Sequence, residues 1–218
     1  MSASRSPLVS PSQFLIGYQL QREWAWLIAA AFFFGTLGAG LWVVSFAVGF
    51  ETGMVVALVI VGALKSAAHM LFLGQPLRFP FAVRKWRTSW ISRGVLAMFV
   101  FLAFGVLSAL GFPGGSPIPH GLSVALGAVA TVAAVVIMVY DGFVLRACRG
   151  IPLWNTMLMP VMGLSYALLG GSTLTVALQR LTDSSTDRWL EWLQLALIVV
   201  NAALILAVIS GARAKGGA

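Results

Sequence analysis

The chain has 218 residues, of which 60% are hydrophobic and only 9% charged. Soluble domains carry ~25% charged residues to wet their surface, so this composition excludes a water-soluble globular domain. The formal net charge is +8, but the cations fall in short segments between apolar runs, where topology signals lie, and do not form a nucleic-acid-binding patch. The single cysteine, Cys148, excludes a disulfide framework and an iron–sulfur cluster held by this chain alone, since such clusters need several thiolates.

Residues 1–23 are polar, with Pro7 and Pro11 and no separate apolar h-region. The first span is therefore expected to act as its own insertion signal, without a cleaved leader. Apolar runs follow at 24–50, 54–73, 94–112, 122–144, 158–178 and 192–209, each close to the ~20 residues that cross a bilayer core as helix. Lipid offers the backbone no hydrogen bonds, so only helices or closed barrels span it, and continuous rather than alternating apolar runs select helices. The expectation is an all-α polytopic transmembrane bundle of about six spans. It comprises a polar N-terminal segment (1–23), a single transmembrane domain (24–212) and a short basic tail (213–218).

The connectors differ. The one at Glu51 is a tight turn, and the one at 74–93 is the longest and most basic. Residues 111–120 form a Pro/Gly loop, 146–154 are short and basic, and 180–191 are mixed. Six spans place both termini and the second and fourth connectors on one side. That side carries Arg5, Arg22, Arg78, Arg84, Lys85, Arg87, Arg93, Arg146, Arg149, Arg213 and Lys215; the other carries Arg180 and Arg188 beside Asp183, Asp187 and Glu191. The positive-inside rule puts the basic side in the cytoplasm of a bacterial or archaeal cell (inner) membrane. Small residues four apart in the first span (Ala31, Gly35, Ala39) and the fifth (Gly163, Ala167, Gly171) are expected to let helix backbones pack closely.

Ionisable side chains inside spans are costly and mark sites or partners; here they are Lys65, His69 and Asp141. Lys65 and His69, four apart, share a helix face. Each also has a structural reading: Lys65 snorkelling to the interface, His69 as an interhelical contact, and Asp141 as an ion-pair partner of Arg93, Arg146 or Lys65. The only histidines, His69 and His120, fall toward opposite faces, which argues against a bis-histidine haem. No phosphate-cradling loop, zinc spacing or nucleophilic triad is present. Glu23, His69, Tyr140, Asp141, Arg78 and Arg93 converge on the basic face.

Four segments then resemble a known family. Phe72-Leu-Gly-Gln-Pro-Leu-Arg78-Phe, followed by Arg87-Thr-Ser-Trp-Ile-Ser-Arg93-Gly, resembles the Leu-Gly-x-Pro-x-Arg-x-Trp loop and Thr-Ser-Trp entry of the polysulfide reductase and dimethyl sulfoxide reductase membrane anchors. Trp24-Ala-Trp26 with Phe34-Gly-Thr-Leu-Gly-Ala-Gly40 is similar to the family's first helix. Tyr140-Asp-Gly-Phe-Val-Leu with Arg149-Gly-Ile-Pro-Leu-Trp-Asn-Thr156 is similar to its fourth. The resemblance implies a haem-free anchor that binds a quinone (menaquinone or ubiquinone) beneath an iron–sulfur (ferredoxin-like) subunit, itself joined to a molybdopterin catalytic subunit. It places the quinone pocket at Glu23 and Tyr140 and the basic 78–93 loop at the partner face. Joined with the in-span ionisable groups, the expected quinone-binding and proton-relay set is Glu23, Trp26, His69, Tyr140 and Asp141, and the expected partner-docking set is Arg78, Arg84, Trp90 and Arg93. No metal ligand is assigned. The family usually has eight spans, so this chain reads as a shortened member, and Glu23 stands where the polysulfide reductase subunit has a histidine. Two alternatives remain open: a small proton-coupled transporter or channel using Lys65, His69 and Asp141, and a structural anchor without an occupied quinone site.

Overall fold

The structure is a computed structural model that describes residues 26–74, 76–112, 116–148, 151, 153–186 and 188–216. Six long apolar helices are present: α1 (Trp26–Ala47), α2 (Glu51–Leu73), α3 (Trp90–Leu110), α4 (His120–Ala147), α5 (Leu158–Leu181) and α6 (Arg188–Gly216). Each is long enough to cross a hydrocarbon core at 1.5 Å rise per residue. The all-helical expectation holds, and the helix ends refine it.

α1 is the hub, lying against α2, α4 and α5; α3 pairs with α4, while α6 runs alongside α5. Close approach of α1 and α5 comes from missing side chains. A Cβ on Gly40 would meet the Ala167 backbone, and one on Gly171 would meet that of Gly40. Without a strong hydrophobic drive between helices in lipid, such contact depends on packing and interhelical polar bonds. Ser45 and Thr175, both buried, bridge α1 and α5 at 3.2 Å. Ser108 and Ser123 exchange hydroxyl-to-carbonyl bonds of 2.9 and 2.6 Å where α3 ends and α4 begins. Fully buried Trp42 anchors the centre: its indole N–H donates to Thr131 Oγ1 at 3.1 Å, and Phe101 meets its ring edge-on.

Three local features depart from the sequence reading. First, α3 begins at Trp90 rather than at 94. The Ser89 hydroxyl caps it by accepting from Ser92 N at 3.4 Å, as N-cap residues do. The polar residues that read as loop are thus the first turn. Second, the basic connector is itself folded, as a 3-10 helix over Pro76–Lys85. Third, α2 is interrupted by a π-helical turn over Ile60–Lys65, a feature that recurs at functional sites. The Ser66 hydroxyl donates to the Val61 carbonyl at 3.1 Å across this turn.

Candidate functional site

A cavity of about 180 Å³ opens at the end of the bundle that carries the Pro76–Lys85 connector. Its walls come from four helices and the connector. α1 supplies Ile28 and Phe32, α2 supplies His69, Phe72 and Leu73, and the connector supplies Ala82. Ile91 and Val95 come from α3, and Tyr140 and Val144 from α4. All are apolar except His69 and Tyr140. His69 Nδ1 is buried without a hydrogen-bond partner, and such groups call for a ligand or other explanation.

Behind this wall lies a buried polar cluster. Lys65, only 1% exposed, donates from Nζ to Tyr140 Oη at 2.8 Å and to the Ala31 carbonyl at 3.2 Å. This corrects the snorkelling reading. Lys65 points into the bundle because Gly35 on α1 leaves room for it: a Cβ there would collide with Nζ, Cε and Cδ. Gly94 on α3 likewise makes space for the Tyr140 ring, whose other side meets Phe32 edge-on at 6.2 Å. A second cavity of about 10 Å³, lined by Lys65, His69, Gly94, Val95, Met98 and Tyr140, adjoins the first.

Asp141 is 5% exposed and faces Lys65 electrostatically, with the hydroxyls of Tyr140 and Thr36 beside it. Neither carboxylate oxygen closes to a hydrogen bond. Among the described residues the ion pair within 4 Å is Arg180–Glu191 at 3.1 Å on the surface, so Asp141 is in direct contact with none of Arg93, Arg146 or Lys65. A buried ammonium and carboxylate that balance each other at longer range offset part of the cost of placing each in lipid.

The other expected site residues separate. Trp26 opens α1, is 75% exposed and does not line the cavity. Glu23 lies outside the described residues, as does the side chain of Arg78. Arg84 is exposed beside the Phe81 ring. Arg93 is bound internally: Nε donates to the Trp86 carbonyl at 3.0 Å and a terminal nitrogen to that of Arg87 at 2.8 Å, with the guanidinium over the Trp90 ring. Trp90 in turn stacks on Phe143, ring centroids 3.9 Å apart. Arg93 and Trp90 thus fasten the connector to α3 and α4. His120 opens α4 at the far end from His69.

Comparison with known families decides the wider identity. The family model described as DMSO reductase anchor subunit (DmsC) matches residues 46–215. The chain belongs to the DMSO reductase anchor subunit (DmsC) family. It is therefore a multi-pass membrane anchor subunit, and an anchor implies catalytic partner subunits. No curated protein and no solved structure matches the chain. Lys65, His69, Tyr140 and Asp141 lie inside the stretch matched by the DmsC family; Glu23, Trp26 and most of α1 precede it. Lys65 is the residue that the sequence reading left out of the quinone set. Its inward course depends on Gly35 of the preceding span, which no pattern within its own helix signals.

Proposed function

We propose that this DmsC-family anchor is the quinone- or quinol-interacting subunit of a multi-subunit molybdopterin oxidoreductase, passing electrons between the quinone pool and an iron–sulfur partner subunit. The observation that carries this reading is the apolar cavity whose polar lining is His69 and Tyr140. Ligand sites typically combine apolar walls with a few placed polar groups. A cavity of ~150 Å³ takes up benzene, so about 180 Å³ suits one quinone ring, and the unpartnered His69 Nδ1 suits its oxygen. A hydrated ion would find almost nothing polar there, which weighs against the transporter reading.

Bound quinone supplies two-electron, two-proton redox chemistry. In this proposal the Tyr140 hydroxyl donates to one ring oxygen and His69 Nδ1 accepts a proton from the other, as a positioned general base. Asp141, the carboxylate behind Tyr140, accepts the second proton. Glu23 and Trp26 belong to the proposal through the family resemblance, with Glu23 as a proton acceptor. The connector with Arg78 and Arg84, fastened through Trp90 and Arg93, is the docking face for the iron–sulfur subunit. That face is cytoplasmic by the charge asymmetry of the connectors.

Heptyl-hydroxyquinoline N-oxide, a fluorescent quinol analogue, tests this reading in membranes holding the complex. Fluorescence quenching should report saturable binding, weakened roughly tenfold by Tyr140→Phe and by His69→Leu. Binding unaffected by both substitutions would favour an anchor without an occupied quinone site.

A further inference from the structure

We propose that Lys65 is the positioning residue of this cavity: its ammonium holds Tyr140 as a hydrogen-bond donor toward a quinone oxygen, with one water in the adjoining cavity joining Lys65, Tyr140 and His69. The inference rests on the quinone reading and adds to it a residue and a water site.

An ammonium has donors and no acceptor. The 2.8 Å bond from Lys65 Nζ therefore makes Tyr140 Oη an acceptor there and turns the phenolic hydrogen elsewhere. It is left for the Asp141 carboxylate or for a ligand oxygen, and a ligand ring in the cavity competes for it. The tyrosine is not free to swing away, because Gly94 and Phe32 enclose its ring. Lys65 is equally fixed. The Ala31 carbonyl takes a second donor at 3.2 Å, Gly35 opens the niche, and the π turn ends at this residue. The groups facing Lys65 are Tyr140 and Asp141 from α4 and His69 from its own helix. α3 contributes only Gly94, Val95 and Met98 to the shared cavity. That cavity's volume of about 10 Å³ is close to the minimum that holds one water, and Lys65, His69 and Tyr140 supply the polar partners a buried water needs. The third ammonium hydrogen has this water as its outlet. The arrangement makes the two polar walls chemically unequal: Tyr140 is restricted to donating, and His69 is left to accept.

A double-substitution cycle on the quinol analogue's Kd, measured in membranes holding the intact complex, tests the assignment. Lys65→Met keeps an unbranched chain one atom shorter and removes the donor; Tyr140→Phe removes the hydroxyl. Each single variant should bind about tenfold more weakly. The double variant should bind no more weakly than Tyr140→Phe, since Lys65 acts through that hydroxyl. Gly35→Ala, which displaces the Lys65 side chain without altering it, should reproduce Lys65→Met, whereas Gly121→Ala, whose Cβ would meet nothing within 4 Å at the far end of α4, should bind as the parent. If Lys65→Met does not accumulate, Gly35→Ala with Gly35→Ala/Tyr140→Phe supplies the same cycle. Losses that multiply in the double variant, or parental affinity in both Lys65→Met and Gly35→Ala, overturn the positioning role. Parental affinity in Tyr140→Phe alone also overturns it, whereas parental affinity in both Tyr140→Phe and His69→Leu overturns the quinone site itself and is a separate outcome.

Discussion

Replacing Gly40 with alanine tests the crossing of α1 and α5 that holds the bundle together. In a helix interior Gly→Ala normally stabilises by ~0.5–1 kcal/mol through backbone entropy. At Gly40 the new Cβ would lie 2.5 Å from the Ala167 carbonyl carbon, against at least 3.4 Å for ordinary contact. The obstacle is backbone, which has no rotamer to change, and the Ala167 carbonyl oxygen stands closer still, so the helices must part locally by at least 0.9 Å (3.4 minus 2.5). A gap of that size forfeits a quarter to a half of each facing contact, each worth about 0.1–0.2 kcal/mol. Over a few tens of atom pairs the loss is roughly 2 kcal/mol, about twice the helix-propensity gain. The Ser45–Thr175 bridge on the same pair of helices lengthens with it. Gly62→Ala is the control, because its Cβ would meet only the flexible end of Leu102 at 3.3 Å. Thermal unfolding in mild detergent should show Gly40→Ala melting below the parent and Gly62→Ala at or above it. Equal midpoints for the two variants would refute the backbone-contact argument.

Gly94→Ala should displace the Tyr140 ring, which its Cβ would meet at 2.7 Å from Cγ; about a tenfold loss of quinol-analogue affinity is expected, read by fluorescence titration. Trp90→Ala removes the stack on Phe143 and the cation contact with Arg93, together worth about 1–2 kcal/mol. It should lower the unfolding midpoint and expose the connector to protease. Glu191→Gln breaks the exposed Arg180 pair and should leave that midpoint close to the parent's, since such a pair is worth about 1 kcal/mol or less. In a Cys148→Ala background, an impermeant maleimide should label Lys85→Cys from the cytoplasm and Ser184→Cys from outside. The reverse pattern would invert the proposed orientation.

The spans were legible because a bilayer imposes a length on any apolar run that crosses it. Their ends were less so. Arg93 reads as loop because a charge is costly in lipid, yet its donors are absorbed by the carbonyls of Trp86 and Arg87, so the first turn of α3 tolerates it. Aromatic and charged residues at 188–192 similarly hid the start of α6, which begins at Arg188. For the site, the one-turn spacing of Lys65 and His69 correctly suggested a shared face, and Tyr140 joined them through the family resemblance. The inward course of Lys65 was not legible. It depends on Gly35, a residue read only as a packing position, and no pattern within one helix reveals a hollow on another. Nor does any periodicity announce the π turn, since its residues Ile60–Lys65 are as apolar as their neighbours until the lysine itself.

That turn has a consequence for how the sequence can change in length. A π turn closes its hydrogen bonds one residue later than an α turn, so Ile60–Lys65 absorbs one residue beyond what a regular helix uses. Deleting one residue there converts the turn to ordinary helix and leaves Met54 and Ala57 on one flank, and Ala68 and His69 on the other, facing as before. The same deletion in the regular stretch before Val59 would rotate one flank by about 100° against the other, burying what should meet lipid. The second span thus has one place where the chain can shorten by a residue without turning its faces, directly before the lysine that the cavity depends on.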